Sequence, residues 1–180
     1  MRGNTFIFTL ERIETRTGVM LVVSDAEERL RALGWADVED RLQRQLAARY
    51  GSGLQLRSGP TSALIRDALH SYLEGKLDAI DAIPVETGGT AFQCAVWQEL
   101  RRIPAGTTLS YGELASRIGR PKAVRAVGHA NGANPICIVV PCHRLLGSNG
   151  SLTGYGGGLP RKRWLLNHES RLLNHDSAAG

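Results

Sequence analysis

At 180 residues, with 42% hydrophobic and 22% charged side chains, the chain can bury a core for one large domain or two small ones. No run approaches the about 18 apolar residues of a membrane span, and the N-terminus lacks a basic-then-apolar export pattern, so neither membrane insertion nor secretion is expected. Three cysteines, an odd number, fit a reducing cytoplasm better than a disulfide framework.

The net charge of +5 is unevenly spread. Residues 1–90 carry 11 Lys and Arg against 13 Asp and Glu, a net of −2, whereas residues 101–163 carry ten cations against Glu113, a net of +9. A basic half points to a polyanionic partner; a solvated basic face is the plainer alternative.

Phe6 to Leu10, Gly18 to Ser24 and Arg29 to Trp35 read as three short strands, with Val19, Leu21 and Val23 alternating and Asp25 to Glu28 as a polar turn. Asp37 is expected to cap a helix with Val38, Leu42 and Leu46 on one face and Gly51 at its end. Ser62 opens a second helix carrying Leu64, Ile65, Ala68, Leu69, Tyr72 and Leu73, closed by Gly75. No catalytic constellation stands out in this α/β unit, and His70 reads as a structural or surface histidine. Pro84 to Gly89 breaks the pattern and reads as a linker.

Thr90 and Gln93 have capping-box spacing and open a helix with Phe92, Ala95, Val96, Leu100 and Ile103 on one face; Trp97 fits either core or surface. Ser110 and Glu113 form a second capping box, for a helix from about Tyr111 to Ile118 with Gly119 behind it. Pro121 is expected in the first turn of the next helix, Ala123 to Asn131. Two short helices joined by a Gly-Arg-Pro turn meet the requirements of a helix-turn-helix. The second is rich in small residues (Ala123, Ala126, Gly128, Ala130), so its backbone can approach a partner closely, and Lys122 and Arg125 project from it. A plain helical hairpin is the competing reading, and the basic half favours nucleic acid. Gly147 to Gly158, with Tyr155 in its midst, suits a pocket wall and lacks the Gly-Lys-Ser/Thr ending of a phosphate-binding loop. Pro160 opens a final helix with Trp164, Leu165 and Leu166, reaching Glu169. The tail after Leu173 is expected to fray.

One stretch organises the rest: Ile136-Cys137-Ile138-Val139-Val140-Pro141-Cys142-His143-Arg144. Ile136 to Val140 reads as a buried strand that Pro141 stops, presenting Cys142 at the strand end. Imidazole and guanidinium beside a cysteine favour thiolate, the nucleophilic form. Cys94 and Cys137 lack that company and read as buried core cysteines.

Pro141-Cys142-His143-Arg144 resembles the active-site motif of the O6-alkylguanine-DNA alkyltransferases (methylated-DNA–protein-cysteine methyltransferases). The flanks match in order: Ser110 to Ala115, Ala123 to Gly128, Asn131 to Pro135, Gly154 to Gly158 and Trp164 to Glu169. The match is strong over about residues 88 to 170 and weaker towards the N-terminus.

The resemblance implies an α/β (α+β) protein. A small N-terminal RNase H-like α/β domain (1–86) precedes a mostly helical, winged helix-turn-helix-like domain for DNA binding and alkyl transfer (87–174), with a frayed tail at 175–180. It implies that Cys142 attacks, that His143 acts as base through a water because direct contact between sequence neighbours needs a particular turn, and that Glu169 orients His143. Tyr111 would relieve charge on the leaving guanine, and Asn134 would brace the turn and hydrogen-bond near the nucleophile. Arg125 would intercalate where the nucleotide flips out, with Ser110, Tyr111, Lys122, Ala123 and Ala126 also at the DNA. Val139, Pro141, Tyr155, Gly156 and Gly157 would line the substrate pocket. The implied partner is duplex DNA bearing alkylated bases, entered from the minor groove by a monomer, with clustering on DNA left open. No cofactor is expected, and no metal: some relatives hold a structural zinc in the N-terminal unit through cysteines and histidines, and no cysteine precedes Cys94 here.

Two departures stand out. Cys137 replaces a proline or other residue and could allow oxidation beside Cys142, and Gly156 replaces a serine of some members, which implies a more open loop for bulkier alkyl groups. A DNA-binding lesion sensor without transfer, a cysteine hydrolase and a structural winged-helix protein compete with this reading. The first lacks the nucleophile Cys142, and the last leaves Pro141 to Arg144 unexplained.

Overall fold

The computed structural model describes residues 5–178, with side chains as far as residue 173. Strand β1 (Phe6–Thr15) turns through Arg16 and Thr17 into β2 (Gly18–Ser24), with Gly18 at a φ of 109° that favours glycine. β3 (Leu30–Trp35) follows, then helix α1 (Glu39–Tyr50) and β4 (Leu54–Ser58), giving a sheet of order β3-β2-β1-β4 in which only the β1–β4 pair is parallel. β4 escapes the sequence reading because its residues are half-buried or exposed and include Gln55 and Arg57, a weak strand pattern. β2 does not alternate between core and solvent. Leu21 and Val23 pack with Leu42 and Leu46 of α1, while Met20 and Val22 join a larger core on the other face. Both faces are covered, so both sets of side chains are buried.

That larger core crosses the boundary expected near residue 86. It draws Leu33 and Trp35 from β3, and Ile65, Leu69 and Tyr72 from α2 (Ala63–Leu73). To these it adds Val96, Trp97 and Leu100 from α3 (Ala91–Arg101), Leu114 from α4 (Tyr111–Arg117), Val127 from α5 (Val124–Gly132) and Leu165 from α6 (Leu159–Ala178). Trp97 is therefore core, and its indole N–H donates to the Ala130 carbonyl at 2.9 Å. His70 is exposed. The 84–89 linker lies along the edge of β3, with Leu30 N–H donating to Pro84 O at 2.8 Å and Glu86 N–H to Leu30 O at 3.0 Å.

Both capping boxes close as expected, at Thr90/Gln93 and Ser110/Glu113, and Ser62 accepts from Ile65 N–H. Asp37 caps nothing: it sits in a 3-10 turn ahead of α1, paired with Arg161 at 2.9 Å. Pro121 lies outside the helix, in a turn closed by Ala123 N–H to Arg120 O at 2.8 Å, and α5 begins at Val124. The last helix runs as far as Ala178, so the start of the tail expected to fray is helical backbone, and residues 179–180 lie outside the described residues.

The largest correction concerns Ile136 to Val140. Only Ile136 makes a bridge, to Leu33 of β3; the rest is a tight turn, not a strand. Val139 N–H donates to Cys137 O, Val140 N–H to Ile136 O, and Ile138 stands at a φ of 69°. Such a conformation is strained for a β-branched residue and persists only where its surroundings over-determine it. Asn134 does so here. Its Oδ1 accepts from Ile136 N–H at 3.0 Å, and its Nδ2 donates to the carbonyls of Val140 (2.8 Å) and Ile136 (3.3 Å), groups a strand would have used in its ladder.

Candidate active site

Beyond this turn a 3-10 segment, Cys142–Arg144, leads into β6 (Leu145–Leu146), which pairs in parallel with β5 (Leu109–Ser110). Cys142, His143 and Arg144 are all buried. The β3 edge anchors the turn, since Leu33 N–H donates to Pro135 O and Cys137 N–H to Leu33 O.

Glu169, on α6 and wholly buried, collects the polar groups. Its Oε1 meets His143 Nε2 at 2.8 Å, Arg144 Nη2 at 2.8 Å and the Tyr72 hydroxyl at 2.7 Å, while Oε2 takes Arg144 Nε and Gly106 N–H, each at 3.1 Å. Burial would raise its carboxyl, but hydrogen bonds and charge from His143 and Arg144 prevail and hold it well below the usual carboxylate range. An ionised carboxylate can only accept, so His143 Nε2 carries a proton. Burial, outweighing the attraction of Glu169, lowers the His143 pKa, so at neutral pH the ring is neutral with its lone pair on Nδ1. That nitrogen is buried without a hydrogen-bond partner among the described residues.

The Cys142 thiol is pulled below its ordinary value, chiefly by a hydrogen bond from Cys137, against the opposing effect of burial. Asn134, Lys162 and Arg41 act in the same direction. The Cys137 thiol is pushed well up by the same contact and by burial, so the proton stays on Cys137 and thiolate character falls on Cys142. Cys137 is thus coupled to Cys142, which its apolar neighbours in sequence did not reveal.

The remaining expected residues divide into two groups. Val139, Pro141 and Gly157 are buried and Tyr155 is half-buried around the turn; the Tyr155 ring packs edge-on to His143 and Trp35 at 6.5 and 6.1 Å. A Cβ on Gly157 would stand 2.5 Å from the Trp35 ring, so only glycine fits. At Gly156 a Cβ would lie 2.7 Å from the Arg41 guanidinium, so the bare glycine lets that side chain approach the loop. Tyr111 links α4 to the glycine-rich loop through a 2.7 Å hydroxyl contact with Thr153. Ser110 spends its acceptor on the Glu113 N–H cap. Lys122, Arg125 and Ala126 are exposed, with Ala123 half-buried beside them.

The excess of cations is smaller at the surface than in the sequence. Lys162 is wholly buried, donating to Leu145 O (2.6 Å) and Thr153 O (3.1 Å); Arg144 is buried on Glu169, and Arg161 pairs with Asp37. Arg120, Lys122 and Arg125 make no ion pair among the described residues and lie together on the turn and first residues of α5. Sequence reading missed Tyr72, Arg41 and Lys162: the first lies on an apolar helix face, the others among ordinary surface-type charges. Among the described residues, no group of His, Cys, Asp and Glu is arranged to hold a metal ion, and no helix is long and apolar enough to cross a membrane.

A thiol held towards thiolate, beside a neutral histidine oriented by a buried carboxylate and backed by a helix-turn-helix pair, is an arrangement suited to attack through sulfur. Residues 91–171 match the family described as 6-O-methylguanine DNA methyltransferase, DNA binding domain. The methylated-DNA–protein-cysteine methyltransferase of Salmonella typhimurium is 51% identical over 91% of this chain and 96% of that one. The structure of Mycobacterium tuberculosis OGT in complex with DNA is similar at a TM-score of 0.76, 37% identical, covering 91% of this chain and 94% of that one. The Pyrococcus kodakaraensis O6-methylguanine-DNA methyltransferase gives 0.67, at 26% identity over 90% and 98%. The chain belongs to the methylated-DNA–protein-cysteine methyltransferase family.

Proposed function

We propose that this protein repairs DNA directly, taking the alkyl group from O6-alkylguanine, and less well from O4-alkylthymine, onto Cys142 once per molecule. The observation that carries the reading is the buried Cys142 thiol held towards thiolate, next to a histidine whose Nδ1 is left as the base. His143 takes the thiol proton through a water, and Glu169 keeps the ring in the required tautomer. Sulfur attacks the alkyl carbon as the carbon–O6 bond breaks, and the electron pair leaves with guanine. The Tyr111 phenol donates towards the base and relieves its charge. The product is a thioether, which nothing in the site would reverse, and no cofactor enters.

The target carbon is out of reach inside a duplex, so the nucleotide flips out at a cost of a few kcal/mol. The exposed Arg125 fills the gap, while Lys122, Ala123, Ala126 and Ser110 meet the minor-groove backbone and Val139, Pro141, Tyr155, Gly156 and Gly157 line the guanine pocket. The division at residues 86/87, a monomeric state on DNA and a cytoplasmic setting belong to the same reading; the three free thiols support the last.

The test is the intact mass of the protein after incubation with duplex DNA carrying one O6-methylguanine, followed by peptide mapping. One methyl group per protein, confined to Cys142, is expected. Lesion binding without a mass change would leave a sensor, and turnover of an ester or amide would replace the reading with a hydrolase.

A further inference from the structure

We propose that Tyr72, contributed by α2 of the N-terminal half, is a positioning residue for the reaction. Its phenol fixes Glu169, and through Glu169 the tautomer and orientation of His143; the inference rests on the transfer reading above.

The face of α2 that packs inward is Ile65, Leu69, Tyr72 and Leu73, and its burial needs only apolar bulk. The Tyr72 hydroxyl is the exception. It donates to Glu169 Oε1 at 2.7 Å, across 97 residues of sequence, with both side chains wholly buried. Burial, reinforced by the neighbouring carboxylate, pushes this phenol well above its ordinary value, so it remains a donor at every working pH. α6 holds this residue in turn: His168 Nε2 donates to the Tyr72 backbone carbonyl at 2.8 Å, and its imidazole packs edge-on to the Tyr72 ring at 5.5 Å. The helix that carries Glu169 therefore also orients the group that tethers it.

Oε1 is shared by Tyr72, His143 and Arg144. Without the phenol, more of the carboxylate charge is directed at His143 and stabilises the imidazolium. The other groups facing His143 are Arg144 in its own turn and Lys162 on α6, which both oppose protonation, and the Tyr155 ring edge from the glycine-rich loop. Cys142 and Cys137 lie in the same site, with the Arg41 guanidinium acting on both thiols. Loss of the Tyr72 hydroxyl therefore raises the His143 pKa and removes base at neutral pH.

The experiment compares the full chain with its Tyr72→Phe variant, which keeps the ring and its packing. Single-turnover transfer from O6-methylguanine duplex to Cys142 is followed across pH, and His143 is titrated by 15N NMR without DNA. The expected result is an acid limb moved up by about half to one pH unit, equivalent to a roughly three- to tenfold slower transfer on that limb, with the same shift in the NMR titration. A tyrosine fluorinated on the ring, a stronger donor of the same shape, moves both in the opposite direction and serves if the phenylalanine protein does not fold. An unmoved pH profile and titration overturn the proposal, even if the melting temperature falls; so does a rate loss uniform in pH. If wild-type protein takes up no methyl group, the transfer reading fails, and the NMR titration still decides whether Tyr72 governs His143.

Discussion

Removing the Asn134 side chain tests the turn that presents Cys142. Asn134→Ala deletes three hydrogen bonds to the backbone, and they are not equivalent. The Val140 carbonyl keeps Cys142 N–H at 2.8 Å and the Ile136 carbonyl keeps Val140 N–H at 3.0 Å, so each loses one of two partners. Ile136 N–H loses the one acceptor the structure gives it. An orphaned buried donor costs about 1–3 kcal/mol and each retained carbonyl about 0.5 kcal/mol, so the variant should be about 3 kcal/mol less stable. Ile138, at a φ of 69°, adds a second consequence. Its strain, about 1–3 kcal/mol, is partly released as the turn relaxes, which displaces Cys142 and offsets part of that loss, leaving about 1–2 kcal/mol net. The Cys142 thiol also loses the Asn134 hydrogen bond that helps hold its pKa down. Urea unfolding at constant m reads the first effect, and the pH dependence of alkylation by a small thiol reagent reads the second. A stability loss below about 1 kcal/mol, or a thiol pKa unmoved or lowered, would refute the reasoning, because either means that Asn134 does not govern the turn.

Arg125→Ala should abolish transfer from duplex DNA while leaving transfer from free O6-benzylguanine within about twofold; equal loss on both substrates would place Arg125 in the chemistry and not in flipping. Lys162→Met leaves the carbonyls of Leu145 and Thr153 without their buried donor and removes a cation that favours the Cys142 thiolate, so limited proteolysis should cut faster at the 147–158 loop and the thiol pKa should rise. An unchanged thiol pKa would confine Lys162 to a structural role. Stability should fall on acidification in two stages. His143 has a folded pKa below its ordinary value, so the unfolded chain takes up its proton first, and stability drops as pH falls below about 6.5. Glu169 is also depressed, so its contribution is complete above the ordinary carboxylate range, about 4.3, and is lost as pH falls through it. Urea unfolding at a series of pH values checks this, and a stability flat from pH 7 to about 5 would contradict the His143 stage.

The residues proposed to carry the chemistry stand out in the sequence because their pattern is local. Cys142, His143 and Arg144 are consecutive, the capping boxes at Thr90 and Ser110 satisfy helix ends with residues three apart, and the small-residue helix with Lys122 and Arg125 declares its exposed face. Apolar runs and alternation likewise placed three strands and most of the helices, since side-chain period follows backbone geometry. Tertiary structure decided what depends on long-range company. Ile136 to Val140 has the composition of a strand, yet Asn134 takes its hydrogen-bonding groups and makes it a turn. Lys162 and Arg144 count as surface charge until burial and Glu169 remove them from the exposed face. Cys137 reads as core until the fold sets its thiol against that of Cys142, and Tyr72 reads as one more apolar position until its hydroxyl reaches Glu169. Composition and periodicity specify how each segment folds on itself. Which buried polar group meets which partner depends on packing between segments far apart in the chain, and in a buried site that pairing sets every charge.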